Sequence, residues 1–360
     1  VTRTRTGATG PDARRRDRAL AALLGLAVGD ALGMPTQELS RARAEALLGA
    51  APGFLDGPPD NPVCPGLAAG SVTDDTAQAL LLGQLLVDGD GRVDPHDLAD
   101  RLLAWEEQMA ARGSLDLLGP STRAALLAVR SGADPATTGR GGATNGAAMR
   151  VAPVGIATPA EPLGDLVDAV VAAGAVTHDT GTAHAGAAAV AVVVAAGVDG
   201  ASFDDAVPLA VRAATEAGVR GHRSDRADVA GRIEAAVSLV RRHQGGLADV
   251  LDSVVDRVGT TLATSESVPA AFAVAALAPV DPWRAAWFGA RLGGDADTIA
   301  AIAGACVAAC TGTSGIPGPV AAQVVSVNRL DLGPLVDGLL ALREHQTRDA
   351  HRAPAPRGQR

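Results

Sequence analysis

Two short runs of this chain carry more carboxylate than a local structural task needs. SVTDDT (Ser71–Thr76) and RLGGDADT (Arg291–Thr298) each set two Asp among Thr, and an Ala-rich stretch follows both. Asp74 and Asp75 are adjacent, so they leave one helical turn in different directions. Asp295 and Asp297 flank the small Ala296. Taken singly, either run reads first as helix capping, because Thr and Asp are favoured N-caps and first-turn acids meet the positive end of the helix dipole. Taken together they suggest more. Asp and Thr offer hard oxygen donors, which suit Mg2+, Mn2+ or Ca2+ and not a softer metal. Four carboxylates gathered in one place repel one another unless cations lie between them, so a binuclear site would account for both runs.

Other segments offer weaker signals. GLAVGDALGMPTQE (Gly25–Glu38) ends a helix in a Gly-rich turn that holds Asp30, Gln37 and Glu38. Gly33 and Pro35 stop a helix in any case; the alternative is a close backbone approach to a ligand. GRGGATNGAAMR (Gly139–Arg150) is a loop of small residues whose amides could approach an anion, with Met149 and Arg150 at its end. It lacks the Gly-Lys-Ser/Thr ending of a phosphate-binding P-loop, and Asn145-Gly146 is also a common turn pair. His178, in VTHDT, reads as a ligand hydrogen bonder or as a local cap. His184 lies six residues on, a spacing that puts the two on different helix faces and argues against zinc. No Gly-x-Ser-x-Gly elbow is present, so serine hydrolase chemistry has no support.

These groups must be positioned by helices. The apolar pattern predicts Arg18–Asp30, Thr73–Leu86, Asp97–Ala111, Thr122–Val129, Leu163–Val176, Ala183–Ala196, Phe203–Glu216, Asp228–Val240, Leu247–Val258, Pro269–Leu277, Pro282–Leu292 and Thr298–Thr311. Val190–Val194 is β-branched but sits in an Ala-rich run and is assigned to buried helix. With no period-two strand and no internal break, the expectation is an all-α fold, one compact multi-helix domain over 18–344, with 1–17 and 345–360 as disordered tails. At 47% hydrophobic, the 360-residue chain can fill a sizeable core. Its formal charge of −9 argues against a duplex-binding surface, and 2% aromatics with no Tyr argue against stacking on single strands. Cys64, Cys306 and Cys310 are too few, and odd in number, for a disulfide scaffold. The Arg-rich start has no apolar signal-like stretch, and the apolar run Ala185–Val198 is too short to cross a bilayer. A cytoplasmic monomer with no membrane partner is expected.

In order along the chain, GLAVGDALGMP (Gly25–Pro35), TDDTAQAL (Thr73–Leu80), TNGAAMRVAPVG (Thr144–Gly155), Thr177–His178, ESVPAAF (Glu266–Phe272) and GGDADTIAAIAGA (Gly293–Ala305) resemble the ADP-ribosylglycohydrolase family. The resemblance spans most of residues 20–320. It implies hydrolysis of the glycosidic bond between ADP-ribose and an acceptor, either a protein side chain or a small conjugate. It implies two Mg2+ ions, or Mn2+, held by Thr73, Asp74, Asp75, Asp295, Asp297 and Thr298 against the distal ribose. Gly142, Ala143, Asn145 and Gly146 fall on the family's phosphate and ribose loop, with Met149 and Arg150 beside them. His178 falls on a ligand-contacting histidine and Leu262 near the adenosine end. Asp74 or Asp75 would steady the developing oxocarbenium charge and take a proton from water.

Departures from the family pattern matter. Many members place Glu where this chain has Gln37, which cannot accept a proton. Either Glu38 substitutes, or an Asp of the TDD run is the base, or the protein binds ADP-ribose with weak or no turnover. Arginine-specific members often carry an Asp-Ile-Gly segment; here DLLGPSTRAAL (Asp116–Leu126) displaces or removes that carboxylate, which argues against an arginine acceptor. Thr144 stands where several relatives have Gly.

Overall fold

Small residues dictate how this chain packs. Gly25, Gly29 and Gly33 fall four apart, on one face of the first helix, Pro11–Gly33. That face lies on the backbone of the helix Ala296–Thr311. A Cβ added at Gly29 would stand 2.1 Å from the Ala300 carbonyl oxygen, and one at Gly33 would stand 2.4 Å from that of Ala296. Gly304 faces back, its added Cβ 2.3 Å from the Gly25 carbonyl. No other residue type fits at these positions without prising the helices apart. The Ala-rich helix Gly181–Asp199 is buried on all sides and meets the same pair through Gly197 and Ala309.

The structure is a computed structural model that describes residues 10–111, 115, 118–222 and 227–352, without the side chains of 349–352. Among the described residues there are eighteen α-helices and no strand, only two isolated bridges, Thr144 with Ala263 and Thr180 with His222. The helices share one hydrophobic core. A satellite cluster of Leu85, Leu102 and Leu126 seats Pro95–Ala111 and Pro120–Arg130 beside it. The all-α, single-domain expectation holds, and Val190–Val194 is buried helix. All three cysteines are free and buried.

Several boundaries differ from those expected. The first helix begins at Pro11, not Arg18, because Pro at the first helical position starts a helix well. Thr264–Leu277 begins five residues before the expected Pro269. Proline cannot donate to the Ser265 carbonyl, but Arg232 Nε does so instead, and its other arm reaches the Val258 carbonyl at 2.7 Å. The helices Arg41–Leu48, Gly318–Asn328 and Leu332–Arg352 were not anticipated. The last of these runs into the segment expected to be a tail. It is fastened by Arg343, whose guanidinium donates to the Gly155, Ile156, Thr158 and Ala195 carbonyls and pairs with Asp199. The rest of the expected tails, 1–9 and 353–360, lies outside the described residues.

Two helices, Pro11–Thr36 with its last turn and Gly181–Asp199, are long and apolar enough to span a membrane by length and composition. The second corrects the expectation that the run Ala185–Val198 is too short. In each, 94% of the apolar window is buried against the rest of the protein, which accounts for its composition.

Gly29→Ala is expected to lower unfolding free energy by at least about 2 kcal/mol, since overpacking here meets backbone and not a flexible side chain. Gly53→Ala, with open space around the added carbon, is expected to stay within about 0.5 kcal/mol. Denaturant titration of both variants checks the contrast.

Candidate active site

The packing of the first helix places Asp30 at the meeting point of the two acidic runs. Asp30 is fully buried and accepts from the Thr73 amide and hydroxyl (2.9 and 2.7 Å) and from the Thr76 amide (3.0 Å) and hydroxyl. These bonds fix the start of the helix Asp74–Asp88. From the other side, the Thr298 hydroxyl donates to Asp75 Oδ2 at 3.3 Å, so the two runs touch across 223 residues of sequence. Thr73 reaches the same oxygen, also at 3.3 Å. The Asn145 amide nitrogen donates to Asp295 and, at 2.8 Å, to Ser267 Oγ. Both acidic helices therefore aim their N-termini into one cleft of about 150 Å³.

The turn that follows the first helix forms one wall. Glu38 has φ +60°, in the left-handed region that non-glycine residues avoid. Its amide donates to the Gly294 carbonyl at 2.7 Å, and the Gly294 amide donates back to the Leu39 carbonyl at 2.8 Å. Gly293 and Gly294 also have positive φ, and an added Cβ would strike Leu39 or Thr260 backbone at 2.4 Å. The GG of GGDADT is thus a docking seam for the Gln37–Glu38 turn. Gln37 is buried and lines the cleft, with its Nε2 unpartnered.

Burial and mutual repulsion dominate the electrostatics. Burial pushes Asp30 up to about 6 against the pull of its Thr donors. Burial also lifts Asp295 to about 7, opposed by Asn145 and helped by Glu38. Asp75 and Asp297 are raised well above the carboxylate range, first by burial and then by the surrounding carboxylates. Asp75 Oδ1 and Asp297 Oδ1 are buried without a hydrogen-bond donor. Oxygen atoms of this kind, in a set holding only carboxylates and hydroxyls, fit a hard cation. Among the described residues no three His, Cys, Asp or Glu side chains stand as a ready-made cage. The runs meet through Thr298 and Asp75, with hydroxyls between the charges.

The sequence-selected residues divide by position. Gln37, Glu38, Asp74, Asn145, Gly146, Met149, Leu262, Asp295, Asp297 and Thr298 line the cleft. Thr73 and Asp75 lie directly behind it, buried. Gly142 and Ala143 support the loop from the rear: the Gly142 carbonyl accepts from Thr180 Oγ1 at 2.7 Å, and that of Ala143 from Thr264 Oγ1 at 3.0 Å. Arg150 and His178, selected as substrate contacts, are 1% and 0% exposed and do not line the cleft. They are held by Gln78 and Thr177, and by Thr144 and Thr177. Asp116 lies outside the described residues.

Sequence reasoning missed the two residues that join these parts. Gln78 donates to Asp74 Oδ2 at 2.6 Å, and its presence one turn after Asp74 was the available signal. For Asp30 the sequence offers a choice between a plain turn residue and a group available to a ligand, and not its clamping role, because its Thr73 and Thr76 partners lie more than forty positions on.

Comparison with known proteins agrees with the earlier resemblance. The ADP-ribosylglycohydrolase family matches residues 11–349. The chain is 35% identical over 332 residues to the uncharacterized protein YegU of Escherichia coli (strain K12), covering 92% of this chain and 99% of that one. It is 32% identical over 176 residues to the ADP-ribosyl-[dinitrogen reductase] glycohydrolase of Rhodospirillum rubrum, covering 48% and 54% of the two chains. A solved structure, described as an ADP-ribosylglycohydrolase-related protein complex, superposes with a TM-score of 0.63 at 28% identity, covering 92% of this chain and 98% of its own.

The raised carboxylates set the sign of the pH dependence. A carboxylate whose folded pKa exceeds its unfolded value favours folding below the unfolded value, and that advantage is lost as pH rises through the folded one. His178 and His184 are pushed down by burial and act oppositely, but only below about 6.5, where the unfolded chain takes up their protons. Between pH 6.5 and 8 the carboxylates prevail, so stability measured in chelator is expected to fall. Asp297→Asn is expected to flatten that fall and to raise stability at pH 8 by about 1 kcal/mol. Thermal melts of the two proteins check both points; a steeper fall in the variant would contradict the assignment.

Proposed function

The chain belongs to the ADP-ribosylglycohydrolase family, and from that premise we propose that it hydrolyses the glycosidic bond joining an ADP-ribosyl group to an acceptor. The meeting of the two acidic runs in one cleft, against the Asn145 loop, carries this reading. Thr73, Asp74, Asp75, Asp295, Asp297 and Thr298 would hold Mg2+ or Mn2+. Such ions, when bound, orient sugar hydroxyls and offset the carboxylate charge.

The remaining roles fall to the chain's own groups. Glu38 takes the proton from the attacking water. It is an exposed carboxylate on the cleft wall, and its left-handed backbone is held there by the Gly294 seam. Asp74 is pinned by Gln78 and presents negative charge to the anomeric carbon as oxocarbenium character grows. The water oxygen bonds to that carbon, the bond to the acceptor atom breaks with its electron pair passing to the acceptor, and the proton taken up by Glu38 is returned through solvent to the departing acceptor. Gln37 Nε2 offers an N–H to a substrate oxygen. Met149 and Leu262 supply apolar surface, Leu262 being 42% exposed at the rim.

Gln37 also supports a second reading, ADP-ribose binding with little turnover, because an amide at this position cannot move a proton. A panel of ADP-ribosylated Arg, Ser, nucleobase and small conjugates separates the two. Release of ADP-ribose is expected from at least one, lost on chelation and restored by Mg2+ or Mn2+. Glu38→Gln is expected to reduce kcat by about 100-fold or more while ADP-ribose still binds. If Glu38→Gln leaves turnover unchanged, Glu38 is not the base. Tight binding without release, with release gained in Gln37→Glu, would favour the second reading.

A further inference from the structure

Behind the cleft runs a chain of polar side chains, of which Arg150, Thr177 and His178 have no part in the chemistry above. Its centre is Arg150, whose guanidinium is wholly buried. The carboxylate whose charge acts on it, Asp74, is one glutamine away. A guanidinium can only donate, and this constrains the protons along the chain. Toward the acidic run, Arg150 donates to Gln78 Oε1 at 3.1 Å, so the Gln78 nitrogen must face Asp74.

In the other direction Arg150 donates to Thr177 Oγ1. The Thr177 hydroxyl then directs its own proton to the better-placed acceptor. His178 Nδ1 lies at 2.8 Å and the Gly174 carbonyl at 3.4 Å. The shorter distance favours Nδ1 as the unprotonated ring nitrogen, with burial keeping the ring neutral, and the hydrogen bond to Thr144 is read in that tautomer. His178 Nε2–H donates to Thr144 Oγ1 at 2.9 Å. The Thr144 hydroxyl, already an acceptor there, keeps one proton to give. It has no acceptor for that proton among the described residues, and it lines the cleft.

We propose that Thr144 donates a hydrogen bond to an acceptor oxygen of the bound ADP-ribosyl substrate, and that Arg150 is the positioning residue that fixes this direction through Thr177 and His178. The proposal rests on the cleft being the substrate site. It assigns a side-chain contact to a position where a glycine has no side chain to offer. It also gives Arg150 and His178 a role that their burial permits. The same guanidinium orders both walls of the cleft, Asp74 through Gln78 and the loop through His178.

Two measurements on the full chain test it. Nitrogen-15 NMR of histidine-labelled protein, with His178 assigned from the signal lost in His178→Gln, is expected to show the Nε2–H tautomer. A protonated Nδ1 overturns the proposal. Calorimetry with ADP-ribose and Mg2+ is expected to show about ten-fold weaker binding in Thr144→Val and less than about two-fold change in Thr144→Ser. Equal affinity of the valine variant overturns the contact, whatever the tautomer. Arg150→Met, where it folds, is expected to mix the two His178 tautomers. Absence of ADP-ribose binding in the wild type, with the Nε2–H tautomer present, sinks the functional reading and the Thr144 contact with it but upholds the order of protons behind the cleft.

Discussion

The cleft depends on how closely two helices can approach. Where Gly25, Gly29 and Gly33 lie against Ala296, Ala300 and Gly304, backbone meets backbone with no side chain between. The contact fixes height as well as distance. Gly29 precedes Asp30, and Gly33 sits against the backbone of Ala296 and Asp297. The residue that clamps the TDD run and the run that opens the opposing helix are thereby set level with each other. A larger residue at Gly33 would displace Asp297 directly, and one at Gly29 would tilt Asp30 away from Thr73 and Thr76. Stability and site geometry are one contact here, which explains why the glycines outweigh their helix-propensity cost of about 1 kcal/mol each.

Bringing carboxylates together inside a protein is expensive unless something answers their charge. Several partial answers are visible. Asp30 takes four donors from Thr73 and Thr76. Asp295 takes Asn145, and Asp75 takes the Thr298 hydroxyl. The N-termini of two helices point inward and add their dipoles. Arg150 contributes positive charge without touching a carboxylate, since Gln78 stands between. An arginine in direct contact with Asp74 would neutralise a group that the proposed mechanism needs ionised. The intervening amide transmits orientation and leaves most of the charge in place.

Much of this was legible in the sequence, for a definable reason. TDD and DAD stand out because capping a helix takes one acid and each run supplies two. The helices of the core were visible as Ala and Leu periodicity between Gly and Pro. Less legible were features whose partners lie far along the chain. The role of Asp30 depends on Thr73 and Thr76, and the tolerance for Pro269 depends on Arg232 filling the vacated bond. Depth was invisible too. Arg150 and His178 suit a ligand by their chemistry, yet the fold buries them behind the loop and sets the half-buried Thr144 on the cleft wall. The helix Leu332–Arg352 was missed because its polar end disguised the buried stripe of Leu335, Val336, Leu339 and Leu342.

The exchange of a carboxylate for Gln37 changes the site less than it first suggests. Position 37 is buried and position 38 is exposed, so a titrating group is better placed at 38, where water can reach it. The left-handed backbone at Glu38 costs free energy, of order 1–3 kcal/mol. Two reciprocal bonds to the Gly293–Gly294 seam hold it in place. That seam opens the helix carrying Asp295 and Asp297. The segment that positions the exposed carboxylate and the segment that supplies the acidic floor are therefore one rigid joint. Movement of either carries the other along, so the spacing between Glu38 and the DAD run is set by backbone and not by side-chain choice. A Glu at position 37, as the resemblance leads one to expect, and the Glu at position 38 in this chain would reach the same cleft from the same turn.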